Sequence, residues 1–463
     1  MVKISAVSHQ GYALTVLCLA AFLVPFMGSA LNLALPEIAH SFSLNAITIT
    51  WLTTAYLIPT AIFQIPFARL GDMYGRKRVY LWGIILFSVC TFLSGFSPTG
   101  TVLLNLRFLS GVGSAMMFGS SIAILTSIFP QEKRGRALAI NTAVVYISIA
   151  SGPLFGGLLT HYFGWQSLFF FCGSLGFISV LLLKIVINTE WIVSKEEKFD
   201  YLGSLLYGIG LFGLIYGFIN LSRLTGIVWL FFGVIAFVVF VLFEQRCRFP
   251  VINIKLFRNR IFALSSLAAL INYAATSAIG FMLSLYLQFI RGLDVQHTGF
   301  ILITQAAAMA LFSLVAGKLT NTIRPASVAT FGMMLIVCGI VGLLFISPIT
   351  PIILIICCLL LLGIGFGLFA SPNTNIIMSS VDHRHYGQAS ATTGTMRLAG
   401  QAFSMGIAGM AISLRMGTHK IVPELYPQFV QSMRITFIIF IILCMIGVYA
   451  SSARSRRSKE IAA

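Results

Sequence analysis

The sequence predicts an all-α protein that crosses a membrane about fourteen times, and three observations carry that prediction. Of its 463 residues 58% are hydrophobic and only 9% are charged, where a soluble domain carries about a quarter of its residues charged. The apolar residues fall into runs of roughly 20, the length of a helix that spans a hydrocarbon core. Lysines and arginines crowd alternate connections between those runs, which is how a chain is oriented in a bilayer.

The first run, 12–33, follows a short N-terminus with one lysine and no convincing cleavage site, and reads as a retained anchor rather than a signal peptide. Runs 47–67, 79–96, 102–128, 137–159 and 168–186 complete a first set of six. Next come 201–218 and 227–243, followed by 261–289, 299–316, 328–346, 352–377, 389–413 and 435–450. The longest polar stretches, 188–200, 244–260 and 415–431, are too short to be soluble domains. Function must therefore sit among helices and short loops.

A net charge of +18 could suggest a nucleic-acid partner, but its distribution follows topology. With the N-terminus inside, the cytoplasmic connections hold Arg69, Arg76, Lys77 and Arg78; Lys133, Arg134 and Arg136; Lys184, Lys195 and Lys198; Arg246, Arg248, Lys255, Arg258 and Arg260; and Lys318, Arg324 and Arg384. The opposite side has only Arg223, Arg291, Arg415, Lys420 and Arg434. Both termini are thus expected in the cytoplasm, in a multi-pass protein of the cell membrane. A weak contribution from membrane lipid at the basic tail, not a specific partner, is expected, and no nucleic acid is expected. The eight cysteines show neither a disulfide framework nor metal spacing. Nor is there a Ser and His constellation or a phosphate-cradling loop, so an enzyme, a metal site and a cofactor are not expected.

Internal repeats are weak but ordered. Ser110-Gly111-Val112-Gly113 in the fourth run parallels Leu362-Gly363-Ile364-Gly365 in the twelfth, and Arg69-Leu70-Gly71-Asp72 parallels Lys318-Leu319-Thr320-Asn321. Such repeats are how many membrane carriers build a midplane site. They divide the chain into an N-terminal six-helix bundle, 1–195; an inserted pair with its linkers, 196–260; a C-terminal six-helix bundle, 261–452; and a basic tail, 453–463. With Asn321 opposite Asp72, a charge lock is expected mainly in the first half.

Several motifs carry chemistry. Gly71, Asp72, Gly75, Arg76 and Lys77 join two spans with almost no linker, so a carboxylate and a cationic cluster meet at one surface where glycine permits a tight turn. Arg107 lies inside an apolar run, where a charge is costly unless it faces protein or water; satisfaction by backbone carbonyls is the bland alternative. In the fifth run, Gly152, Pro153, Gly156 and Gly157 combine a lost helical hydrogen bond with close helix approach. The loop resembles the signature between helices two and three of the major facilitator superfamily, departing at Ala68 and Met73. The Arg107 stretch resembles that family's fourth-helix motif, and the glycine and proline set resembles its antiporter motif. Asn32, Ala34, Leu35 and Pro36, together with 250–262, resemble the fourteen-helix drug and proton antiporter branch.

The resemblance implies a major-facilitator-like fold that exports hydrophobic or amphipathic compounds by alternating access, coupled to proton antiport, with a small-molecule or lipid-like substrate and a monomeric state. It implies that Asp72 and Arg76 hold one face closed, and it links Arg107 to proton coupling. Where many relatives carry a membrane acid, however, this chain has Met27. Among the twelve acids only Glu37 stands near an outward-facing cavity, so Glu37, with His40, is the replacement candidate. An ordinary interfacial acid is the competing reading. Arg397 is the second deep charge, and two deep arginines suit an anionic substrate. The alternative is therefore a dedicated exporter of an anionic lipid, glycolipid or metabolite. Candidate cavity residues are Arg107, Arg397, Asn373, Asn375, Gln401, Tyr56, Met116 and Tyr286; amides and rings in spans are also used for helix packing.

Overall fold

The computed structural model describes residues 6–460 apart from 194–197, 222, 248–249, 253, 321, 382–385 and 418. Asn321, the counterpart of Asp72, lies outside the described residues, as do Lys195, Arg248 and Arg384. Among the described residues are fourteen α-helices and no strand: α1 (Ala6–Ser41), α2 (Ala46–Tyr74), α3 (Arg76–Ser94), α4 (Gly100–Ile128), α5 (Gln131–Phe163), α6 (Gln166–Val186), α7 (Tyr201–Ile219), α8 (Leu224–Glu244), α9 (Arg260–Leu285), α10 (Val295–Leu319), α11 (Pro325–Leu344), α12 (Ile352–Ser379), α13 (Tyr386–Met416) and α14 (Tyr426–Glu460). Thirteen are long and apolar enough to cross a membrane. The exception is α13, which carries Arg397, Arg415 and a threonine-rich first half. It packs on α2, α7, α9 and α14, so protein is close around Arg397 and the threonines, which is where such residues are tolerated.

Local chemistry starts the helices where polar side chains can replace the missing backbone partners. Asn45 accepts from the Thr48 N–H (2.8 Å) at the start of α2, Asp200 from Gly203 (2.8 Å) at α7, and Asp294 from His297 (2.7 Å) at α10. Asn259 begins α9 in the same way and also donates to the Ser380 carbonyl (2.7 Å), tying that start to the end of α12.

The repeated glycines show why two sets of helices share one arrangement. A side chain at Gly111 would strike the Tyr56 carbonyl of α2, and one at Gly113 would lie 2.6 Å from the Phe87 nitrogen of α3. In the later set, Gly363 meets the Gln305 carbonyl of α10, and a Cβ at Gly365 would lie 2.5 Å from the Gly332 carbonyl of α11. Helix α4 thus wedges between α2 and α3 as α12 wedges between α10 and α11. The two sets meet along α5 with α10 and α2 with α13. Helices α7 and α8 form a hairpin whose α7 touches both α13 and α2, with the Tyr207 hydroxyl donating to the Ala61 carbonyl (3.1 Å). The apolar residues of α8, such as Phe231 and Phe232, are exposed, as expected of a helix facing lipid.

Gly113→Val and Gly365→Val are each expected to cost about 1–3 kcal/mol by overpacking, read as a lower midpoint in a thermal melt followed by a thiol-reactive dye. Gly317→Val, where nothing lies within 4 Å of the added carbon, is expected to stay within about 0.5 kcal/mol of the parent.

Candidate functional site

At the end rich in basic loops, the α2–α3 turn is a closed network. Gly75 takes φ 121°, a left-handed conformation that suits glycine, and Glu190 packs where a side chain would stand. The Arg76 Nε donates to Asp72 (2.6 Å), and its Nη1 donates to the Ser127 hydroxyl (3.0 Å) and the Ala123 carbonyl (3.3 Å) of α4. Glu190 accepts the backbone N–H groups of Lys77 (2.8 Å) and Arg78 (3.1 Å), so a carboxylate caps the positive end of α3. The segment after α6 is laced on by Arg76 N to Trp191 O (3.0 Å) and Val193 N to Asp72 O (2.9 Å). Gly71 lets α2 approach the Ser120 hydroxyl. These partners all belong to α2, α3, α4 and the segment after α6.

At the opposite end the two helix sets meet backbone to backbone. Gly152 and Gly156 of α5 press on Ser29 and Ala30 of α1. A Cβ at Gly157 would lie 3.0 Å from the Val295 carbonyl of α10, and one at Gly299 would lie 2.5 Å from the Pro153 carbonyl. Pro153 has no N–H, which frees the carbonyl four residues earlier, and the Ser29 hydroxyl donates to that Ile149 oxygen (3.0 Å). Pro36 frees the Asn32 carbonyl in the same way, and the Ser284 hydroxyl of α9 donates to it (2.6 Å). Gln288 adds a bond to the Leu33 carbonyl (3.1 Å). Neither serine nor Gln288 stands out in the sequence. The signal that finds them is the rule that a proline within a span needs a donor from elsewhere.

The two deep arginines occupy different environments. Arg107 is 1% exposed, enclosed by protein on every side. Its guanidinium lies 4.4 Å from the centroid of the Tyr56 ring and Nε donates to the Leu52 carbonyl (3.4 Å), while Nη1 is buried without a partner. Arg397 is half-buried and lies over the Phe118 ring, 5.2 Å from its centroid. Phe118 is eleven residues beyond Arg107 on α4, roughly 16 Å along the axis, so the arginines stand at separate depths. Around Arg397 are the half-buried Tyr146 of α5 and Tyr273 of α9. Tyr146 shares a hydrogen bond with Ser313 of α10, and Tyr273 packs edge-on against Phe366 of α12 (5.3 Å). Gln401, also half-buried, follows one turn along α13. Rings from α4, α5 and α9, drawn from both sets, thus lie around one cation of α13.

The other expected cavity residues have the following surroundings. Tyr56 is 4% exposed and donates to Ser114 (2.7 Å) beneath Arg107. Asn373 is 2% exposed and donates to the Ser265 carbonyl (3.0 Å), joining α12 to α9. Tyr286 is fully buried in a π turn, 286–290, with its hydroxyl on the Ser347 carbonyl (2.6 Å). Met116 packs against Gly83 of α3, and Asn375 is exposed. Glu37 lies at the end of α1, where its carboxylate takes the Trp165 backbone N–H at the α5–α6 turn. Its own carbonyl accepts from Ser41 (2.9 Å), and His40 is exposed.

A family model described as Major Facilitator Superfamily matches residues 17–405. The riboflavin transporter RibZ of Clostridioides difficile (strain 630) is 29% identical over 85% of this chain and 86% of its own length. The multidrug resistance protein Stp of Mycobacterium tuberculosis (strain CDC 1551 / Oshkosh) is 29% identical over 85% of this chain and 74% of its own. Among solved structures, an inward-facing, unoccupied bacterial homologue of the human lysosomal transporter Spinster superposes with a TM-score of 0.69 at 16% identity, covering 97% of both chains.

Ser29→Ala and Ser284→Ala each leave a proline-freed carbonyl without its donor, and each is expected to cost about 1–3 kcal/mol in a thermal melt. Ser277→Ala is the control, because that hydroxyl only returns to the Tyr273 carbonyl of its own helix (2.8 Å); its expected change is within about 0.5 kcal/mol.

Proposed function

This chain belongs to the Major Facilitator Superfamily, and from that premise we propose that it exports hydrophobic or amphipathic compounds across the cell membrane in exchange for protons. The basic loops and both termini face the cytoplasm in this reading, because alternate connections hold most of the lysines and arginines. The working units are 1–195, 196–260, 261–452 and the tail 453–463, in a monomer.

The observation that carries the proposal is the set of rings from both helix sets around Arg397, Phe118, Tyr146 and Tyr273, combined with backbone-tight packing of α5 on α10 at the opposite end. A half-buried site with its far end shut is suited to loading from the cytoplasm. Release then requires α5 and α10 to part while the basic end closes, the rocking expected of paired bundles. The pivot is α5, whose glycines pack on α1 while Pro153 and Gly157 face α10. Aromatic walls suit varied apolar compounds, and the name of Stp supports resistance to several of them.

A second reading, a dedicated exporter of an anionic lipid, glycolipid or metabolite, is favoured by Arg397 itself. Its guanidinium can pair with a carboxylate or phosphate, and the rings of Tyr146 and Tyr273 suit a planar partner. The name of RibZ, a riboflavin transporter, lends weight to such a metabolite. Proton exchange in this reading runs through Glu37, four residues beyond the Leu33 carbonyl that accepts from Gln288.

In vesicles containing the purified protein, Arg397→Gln is expected to lower counterflow of anionic amphiphiles at least tenfold while sparing cationic dyes. Equal loss for both classes would show that Arg397 only supports packing. Glu37→Gln is expected to keep counterflow and to lose acceleration by an imposed pH gradient; acceleration that persists would remove Glu37 from coupling.

A further inference from the structure

The inserted hairpin frames a second site, away from Arg397 and at the end opposite the basic loops. A cavity of about 300 Å³ lies between the start of α2 and the α7–α8 turn, with Asn45, Thr48, Trp51, Tyr216, Asn220 and Arg223 in its lining. Its walls are graded from polar to aromatic. At the rim, Asn45 Oδ1 accepts from both the backbone and the hydroxyl of Thr48 (2.8 and 2.9 Å), and the Asn220 amide donates to the Tyr216 carbonyl (3.1 Å). Both amides are thus turned toward their own helix ends. Arg223 is different: it is exposed and, among the described residues, has no hydrogen bond or ion pair from its side chain.

Two other arginines at this end are occupied. Arg291 donates to the Thr350 carbonyl, and Arg434 donates to the Ile346 carbonyl (3.1 Å). Beside Arg223 the cavity continues as a column of rings. Trp51 packs on Tyr216 (5.7 Å between centroids), and Tyr216 packs on Phe212 (5.5 Å) and Trp229 (5.9 Å). Trp229 is partly open to the surroundings, beside the exposed Ile227 and Val228 of α8. The site therefore offers one cation without a counter-charge, and then aromatic surface leading to the lipid-facing helix.

We propose that this cavity binds the headgroup of an anionic phospholipid from the outer leaflet. Arg223 takes the phosphate through paired N–H donors, and the rings of Trp51, Tyr216 and Trp229 take the glycerol and the first part of an acyl chain. The placement in the outer leaflet rests on the orientation given under Proposed function. A soluble anion would meet a single exposed charge, which holds little by itself. An amphiphile adds apolar burial against aromatic groups that prefer the membrane interface. The bound lipid also gives the inserted pair a structural role. Because α7 packs on α13 as well as on α2, a lipid held here fastens the start of α2 to the hairpin that covers the α2–α13 seam.

Native mass spectrometry of the full chain in detergent tests this, with phosphatidylglycerol and phosphatidylcholine of identical chains as probes. One phosphatidylglycerol is expected to bind at least tenfold more tightly than phosphatidylcholine. Arg223→Gln is expected to remove that preference, and Arg223→Lys to keep it within threefold. Arg415→Gln, at an exposed arginine of the same end, is expected to leave it unchanged. Equal affinity for the two lipids, an unchanged preference in Arg223→Gln, or displacement of the lipid by millimolar inorganic phosphate would overturn the proposal. Binding is read without transport, so it stands or falls apart from the export reading. Labelling of Arg223→Cys by an impermeant maleimide in intact cells tests the leaflet: labelling is expected, and protection until the cells are broken open would overturn the outer-leaflet assignment.

Discussion

A bilayer offers no water to a backbone carbonyl that has lost its helical partner, and this constraint organises the contacts of α1. Pro153 and Pro36 each strip one carbonyl of its donor, and each is repaired by a serine from a neighbouring helix. The repairs run in series: Ser29 of α1 serves α5, and Ser284 of α9 serves α1. Helix α1 is consequently fastened to a member of each helix set. Its inner face, including Phe26, Met27, Ala30 and Ala34, is buried almost completely. Glycines at 152 and 156 make the same contacts possible sterically, since a side chain there would collide with α1, and Gly157 lets α10 come close.

The two ends of the molecule are held by different physics. Around Asp72 the bonds are ionic and capping bonds confined to α2, α3, α4 and the segment after α6. Around Pro36 and Pro153 they are backbone contacts between the two helix sets. A charged lock within one set keeps that set rigid. A tight but largely uncharged seam between sets can separate as a unit, at the cost of a few hydrogen bonds. The arginines fit this division, with Arg107 sealed inside one set against Tyr56 and Arg397 open among groups from both.

Much of the fold was legible because its causes are local. Apolar length determines where helices cross, and the paired glycines at 111 and 113 and at 363 and 365 betray the same wedge built twice. The candidate site was legible only in part. Arg397 and Gln401 were found as polar groups in a span, but the same criterion also selected Asn373 and Tyr56, which bond to neighbouring helices, and Tyr286, which bonds to the loop between α11 and α12. Which face of a helix meets a cavity depends on rotation set by distant partners, and one sequence does not encode that in any short pattern. Glu190 and Ser284 escaped notice for a related reason. An acid after a span and a serine within one are commonplace, and their importance lies in the orphan groups they meet.

Export as proposed requires the seam between α5 and α10 to open during each cycle. A cysteine pair at 157 and 296, in a background with the native cysteines replaced, tests this directly, because a Cβ at 157 lies 3.5 Å from the Gln296 Cα, within reach of a disulfide. Oxidation is expected to abolish counterflow in vesicles and reduction to restore it. Full counterflow by the crosslinked protein would show that the seam does not need to open.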